Sequence, residues 1–274
     1  MSLPATEHLV FAHGNSFPSA TYSVFLDAMR QRGYGVHPID KVGHNPRFPV
    51  SDGWPHLVDE LAEHAQQVVQ ALGQPVWLVG HSLGGYLSLL VASKHPGLVR
   101  GVVLVDSPVL GGWRSKVVAG GKRLGLNQRF SPGVVSRKRR NTWPHEQAVL
   151  EHFASKPLFA SWHPQCLRDY VQYGTADHQG QRVLVFDRTV ETAIYDALPH
   201  DMPQRLRRSG LQRPVSYVGG LASNEARRTG LAATRRITQG RMQMLEGSHL
   251  LPLENPFATA AAVESALRGM GSLR

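Results

Sequence analysis

Residues Leu78-Val79-Gly80-His81-Ser82-Leu83-Gly84-Gly85 place a G-x-S-x-G pattern between an apolar run and a helical stretch. This arrangement demands a strand-to-helix turn so tight that its serine is strained, with Oγ held out into a cleft, the geometry called a nucleophile elbow. Gly80 and Gly84 suit that turn, because a Cβ two residues on either side of the serine would strike the strand or helix packed against it. A short glycine-serine pattern alone is weak. Its setting strengthens it: Pro75 to Val79 reads as a buried strand, and Leu83 to His95 reads as a helix stopped by Pro96-Gly97.

The same alternation runs through much of the chain. His8 to Ala12 is a short apolar run, and Tyr34 to Asp40 a second strand. Between them Tyr22, Phe25, Leu26 and Met29 recur at helical spacing over Ala20 to Arg32. From Trp54 to Leu72 one apolar stripe of Leu57, Val58, Leu61, Ala65, Val68 and Val69 predicts a helix closed by Gly73. Gly101 to Val105, Pro214 to Val218 and Arg241 to Leu245 add strands, and an Ala-rich helix begins at Pro256. Strands alternating with helices imply a parallel sheet covered on both faces. Between Gly111 and about Arg208 the rhythm breaks, with helical stretches only around Glu146 to Phe153 and Cys166 to Tyr173. The expected organisation is a core from 1–110 and 209–274, with 111–208 an insertion over the cleft.

Composition narrows the class. A chain of 274 residues, 42% hydrophobic and 18% charged, can bury a full core as one α/β domain plus an insertion. Its single cysteine, Cys166, excludes an intrachain disulfide and suits a small buried apolar position. The first residues lack a basic start followed by a long apolar run, and no stretch approaches transmembrane length. The expected location is cytoplasmic. Of the net charge of +10, nine Lys and Arg residues fall between Ser107 and His145, with no Asp or Glu among them. That segment is expected to place a positive field beside the cleft, drawing in an anionic ester, or else to be a solvated lid surface or a docking patch for an acidic partner or membrane headgroups. No nucleic-acid motif accompanies it, so no nucleic-acid partner is expected.

In a doubly wound sheet, functional groups gather at the C-terminal ends of the strands. Here those ends offer His13-Gly14-Asn15-Ser16, Ser82, Asp106 and Glu246-Gly247-Ser248-His249. A nucleophilic serine needs a base within hydrogen-bond reach, and the base an acceptor that fixes its tautomer. Ser82, His249 and Asp106 can supply these roles. No histidine pattern has metal-ligand spacing, so neither metal nor cofactor is expected.

On His13-Gly14, Asp40-Lys41-Val42-Gly43-His44, Gly80-His81-Ser82-Leu83-Gly84 and Gly247-Ser248-His249, in that order, the chain resembles the α/β-hydrolase superfamily along most of its length. The resemblance implies an α/β-hydrolase fold, a mostly parallel sheet of about six strands flanked by helices, with a helical lid insertion. It also implies His249 as base, with structural roles for His13 and His81. Oxyanion donors would be the Leu83 N–H and, in the loop after His13-Gly14, the Asn15 N–H. Most relatives place the acid in the loop matching Gly219 to Glu225, which here has no Asp. A subgroup of serine esterases that places the acid after the strand following the elbow is similar. That favours Asp106, with Glu225 the alternative acid. Trp113, Trp143, Phe159 and Trp162 are candidates to line an acyl or aromatic pocket, or to hold the lid together.

The resemblance points to a serine hydrolase acting on a small or medium carboxylic ester or thioester. Carbon–carbon bond hydrolysis and acyl transfer use the same triad and stay open. So does a non-catalytic ligand receptor on the same scaffold.

Overall fold

The computed structural model describes residues 7–109, 111, 133–199 and 201–272. Trp113 and the basic residues Arg114, Lys116, Lys122, Arg123 and Arg129 lie outside the described residues.

Six parallel strands form the main sheet: β1 (Glu7–Ala12), β2 (Tyr34–Pro38), β3 (Val76–His81), β4 (Val99–Val105), then β8 (Val215–Gly220) and β9 (Met242–Leu245), in the order β2-β1-β3-β4-β8-β9. The strand order reverses beside β1 and β3, which puts a crevice at their C-terminal ends. Alternate side chains separate to two faces, as the two-residue strand period requires. Leu9, Phe11, Trp77, Val79, Val103 and Val105 pack on one side with helices α1 (Ser23–Gln31) and Pro256–Gly271. Val10, Ala12, Leu78, Val102 and Leu104 pack on the other with α2 (Pro55–Leu72) and α3 (Leu83–Lys94). Helix α2 starts with Pro55 in its first turn and ends at Gly73, whose φ of 68° places its N–H on the Val69 carbonyl.

Between β4 and β8 the described chain forms a second, three-stranded antiparallel sheet in the order β5-β7-β6: β5 (Thr142–Trp143), β6 (Thr175–His178) and β7 (Gln181–Leu184). Gln179 and Gly180 both have positive φ, the conformation of the tight hairpin turn joining β6 to β7. Helices α4 (Glu146–Ala154) and α5 (Pro164–Tyr173) pack on this sheet, and α6 (Arg188–Asp196) packs on the short helix Gly133–Lys138. Buried Phe153, Phe159, Trp162, Cys166 and Tyr170 join this region to the α1 side of the core. Among the described residues, no helix is long and apolar enough to cross a membrane.

Candidate active site

Ser82 stands between β3 and α3 with φ 50° and ψ −114°. Its N–H donates to the Val105 carbonyl at 3.0 Å, and its own carbonyl accepts from Gly85 N–H at 3.1 Å and from Ser107 Oγ at 2.9 Å. A Cβ on Gly80 would run into the backbone of Gly84 and Gly85, and one on Gly84 into the Ala12 carbonyl. Both glycines are therefore demanded by close backbone approach.

The structure brings Ser82, His249 and Asp106 together. Ser82 Oγ lies 2.9 Å from His249 Nε2, and His249 Nδ1 lies 3.0 Å from Asp106 Oδ1. Asp106 is fully buried at the end of β4, where it also accepts from Gly220 N–H and Ser223 Oγ, each at 2.7 Å. A buried carboxylate needs such donors, and here they also fix its orientation. Glu225 approaches the same Nδ1 only to 3.9 Å, with its side chain 47% exposed. Of the two acids weighed from sequence, Asp106 makes the hydrogen bond.

His13 and His81 connect loops. Val42 N–H donates to His13 Nε2 at 2.9 Å, so Nδ1 carries the proton and donates to the Gly14 carbonyl at 2.8 Å. His81 Nε2 meets the His249 carbonyl at 2.8 Å and must be the donor there. That leaves Nδ1 to accept from Tyr22 Oη at 2.8 Å, which in turn accepts from Gly14 N–H at 3.1 Å. Burial holds both imidazoles neutral, lowering His13 to about 4 and His81 to about 3. A continuous chain of hydrogen bonds thus ties the loop after β1 to the loop carrying His249.

Asn15 is nearly buried in that first loop, and its Nδ2 donates to the Glu191 carbonyl at 3.0 Å. Leu83 N–H opens α3, one of the first-turn donors that no carbonyl of its own helix can reach. Glu191, from α6, is buried. Its Oε1 accepts from Ser16 and Ser136, the latter at 2.9 Å, and its Oε2 pairs with Arg139 at 2.8 Å. Arg139 also donates to Tyr170 Oη at 2.6 Å.

Ser82 and His249 open on a cavity of about 470 Å³ that Asn15, Phe159, Tyr170 and Glu191 also line. Of the aromatic residues singled out in the sequence, Phe159 is on its wall. Trp143 and Trp162 are not: both are buried behind the wall, Trp143 against His152 and Phe153, Trp162 against Phe17 and Phe159. Trp113 lies outside the described residues. A larger cleft of about 910 Å³ opens at the other end of the sheet, near Gln74, Val99 and Pro214, remote from Ser82.

Among the described residues, two arginines of the 107–145 segment have acidic partners that sequence distance concealed. Arg137 pairs with Asp196 at 3.3 Å and Arg139 with Glu191, both acids coming from α6. Arg140 donates to the Thr142 carbonyl and sits over the Trp143 ring. Sequence reasoning also missed Tyr22, Ser107, Ser223 and Glu191, whose contributions are long-range contacts rather than motifs.

A profile of the alpha/beta hydrolase family matches residues 9–262, and the chain belongs to that family. It is 31% identical over 107 residues to a monoglyceride lipase homolog of Monkeypox virus, and 32% identical over 103 residues to a pyrethroid hydrolase of Sphingobium wenxiniae. Each alignment covers 36% of this chain, and 37% and 35% of those relatives respectively. Among solved structures, E-2-(acetamidomethylene)succinate hydrolase superposes with a TM-score of 0.74 at 20% identity, covering 96% of this chain and 91% of that one, a likeness of fold.

Proposed function

We propose that the protein is a serine hydrolase that cleaves a small or medium carboxylic ester through an acyl-enzyme. The observation that carries this reading is the unbroken relay from Ser82 Oγ through His249 to Asp106, at 2.9 and 3.0 Å, opening on a cavity. Relatives named as a monoglyceride lipase homolog and a pyrethroid hydrolase support it.

Ser82 Oγ attacks the ester carbonyl carbon while its proton passes to His249 Nε2. Asp106, already accepting from Nδ1, stabilises the imidazolium that forms. The negative oxygen of the tetrahedral intermediate rests on the N–H groups of Leu83 and Asn15. Collapse expels the alcohol, which takes the proton from His249 and leaves the acyl group on Ser82. Water then attacks the acyl carbon, gives its proton to the same imidazole, and a second collapse releases the acid and restores Ser82. The insertion 111–208 is read as a lid, because its described residues Ser136, Arg139, Phe153, Phe159 and Glu191 help to line the cavity. Thioesters suit the same relay.

The test is ester turnover by variants of the relay. Ser82→Ala and His249→Ala should each lower kcat for 4-nitrophenyl acetate by about 10⁴-fold, with the fold retained by circular dichroism. Near-normal turnover by Ser82→Ala would rule the mechanism out.

A further inference from the structure

The cavity on which Ser82 opens is also lined by two cations, Arg139 and Lys156, and two carboxylates, Glu191 and Glu225. Three of these four have work elsewhere. Glu191 is saturated by Ser16, Ser136 and Arg139. Arg139 is held by Glu191 and Tyr170. Glu225 stands on the His249 side, 3.9 Å from Nδ1.

Lys156 is different. It follows α4 just before the short helix Pro157–Ala160, and its backbone N–H is tied to the Phe153 carbonyl at 3.0 Å. Its ammonium lies 5.3 Å above the Phe153 ring, which holds the charge at the cavity wall. Among the described residues no carboxylate pairs with it, and residues 107–145 contain no Asp or Glu that could do so. Burial and the neighbouring Arg139 charge both press the ammonium below its ordinary value. The charge of an anion placed against it would offset both effects.

We infer that Lys156 is the anion-binding subsite of this cavity, so that the favoured substrate is an ester carrying a free carboxylate, with Arg139 adding to the field and the aromatic wall of Phe153 and Phe159 covering the apolar spacer. This inference rests on the proposed serine-hydrolase reading. A charge-assisted hydrogen bond lost from a partly dry site is worth about 10- to 100-fold in kcat/KM.

The experiment compares monomethyl adipate with methyl hexanoate, nearly equal in shape and differing in one carboxylate, and adds O-hexanoyl glycolate, which carries the carboxylate on the alcohol side. Wild type should prefer at least one monoanion over the neutral ester. Lys156→Met should lower that anionic-to-neutral ratio of kcat/KM about 10- to 100-fold, mainly through KM, with Lys156→Arg restoring most of it and Lys156→Glu reversing the preference. Which monoanion responds tells whether the charge sits on the acyl or the alcohol side. Fluorophosphonate labelling of every variant at Ser82 reports an intact elbow. Ser82-dependent cleavage with a ratio indifferent to Lys156 overturns the inference, as does Ser82 labelling with no cleavage of either monoanion. Cleavage that persists in Ser82→Ala instead overturns the hydrolase reading beneath it.

Discussion

Ser82 occupies a backbone conformation that costs about 1–3 kcal/mol for a residue with a Cβ, and Asp106, the next group but one in the relay, also has positive φ, at 40°. The strain is held by hydrogen bonds on both sides: Val105, Gly85 and Ser107 around the serine, Val218, Gly220 and Ser223 around the aspartate. From the contrast between buried Asp106 and half-exposed Glu225 follows a ranking. Asp106→Asn, nearly isosteric but unable to stabilise an imidazolium, should lower kcat by about 10⁴-fold, whereas Glu225→Gln should change it by less than about threefold. Steady-state rates on one ester decide it, and the reverse order would transfer the acid's role to Glu225. The residue alphabet of this relay was legible in the sequence because its members sit at strand ends beside glycines. The sequence favoured Asp106 but left Glu225 as an alternative, because burial and distance, which separate the two, appear only in the folded chain.

At the scale of elements, the elbow works because β3 and α3 approach so closely that Gly80 has no room for a side chain. Gly80→Ala should therefore destabilise the fold by about 2 kcal/mol or more in urea unfolding. The loops around the elbow are tied by His13 and His81, and this makes stability depend on pH in a definite direction. Both imidazoles are lowered in the folded protein, to about 4 and about 3. Above pH 6.5 they are neutral in both states and cost nothing. As pH falls below 6.5 the unfolded chain takes up protons that the folded chain refuses, so stability is lost progressively toward pH 4. Each histidine contributes a slope of up to about 1.4 kcal/mol per pH unit. Urea midpoints between pH 7 and 4.5 should fall, and His13→Gln should flatten the decline; a midpoint that rises on acidification would contradict this account. The elements of the main sheet were readable from their apolar runs. The second sheet was not, since β5 to β7 are two to four residues long, carry exposed Asp177 and His178, and turn on Gln179-Gly180 rather than a stronger Asn-Gly or Asp-Gly signal. Helix α6 was missed as well, although it supplies Glu191 and Asp196 to the arginines that the sequence left without partners.

Over the whole molecule, the net charge of +10 sets a positive background even where individual arginines are paired. Steering by that field should make kcat/KM for a monoanionic ester fall as salt rises from about 20 to 300 mM, while a neutral ester of the same length is nearly unaffected. Stopped-time assays at a few ionic strengths suffice, and parallel responses of both esters would remove steering from the account. The family and the sheet were evident from four short motifs in order; the charged lining of the cavity was not, because Lys156 and Glu191 come together with Ser82 around one cavity only in the folded chain. The central claim, that Ser82 is the covalent nucleophile, is tested most directly by mass spectrometry after reaction with a fluorophosphonate. A single adduct per chain on the peptide bearing Ser82 is expected, with none in Ser82→Ala. An adduct on another residue, or ester hydrolysis that survives while Ser82 stays unmodified, would contradict it.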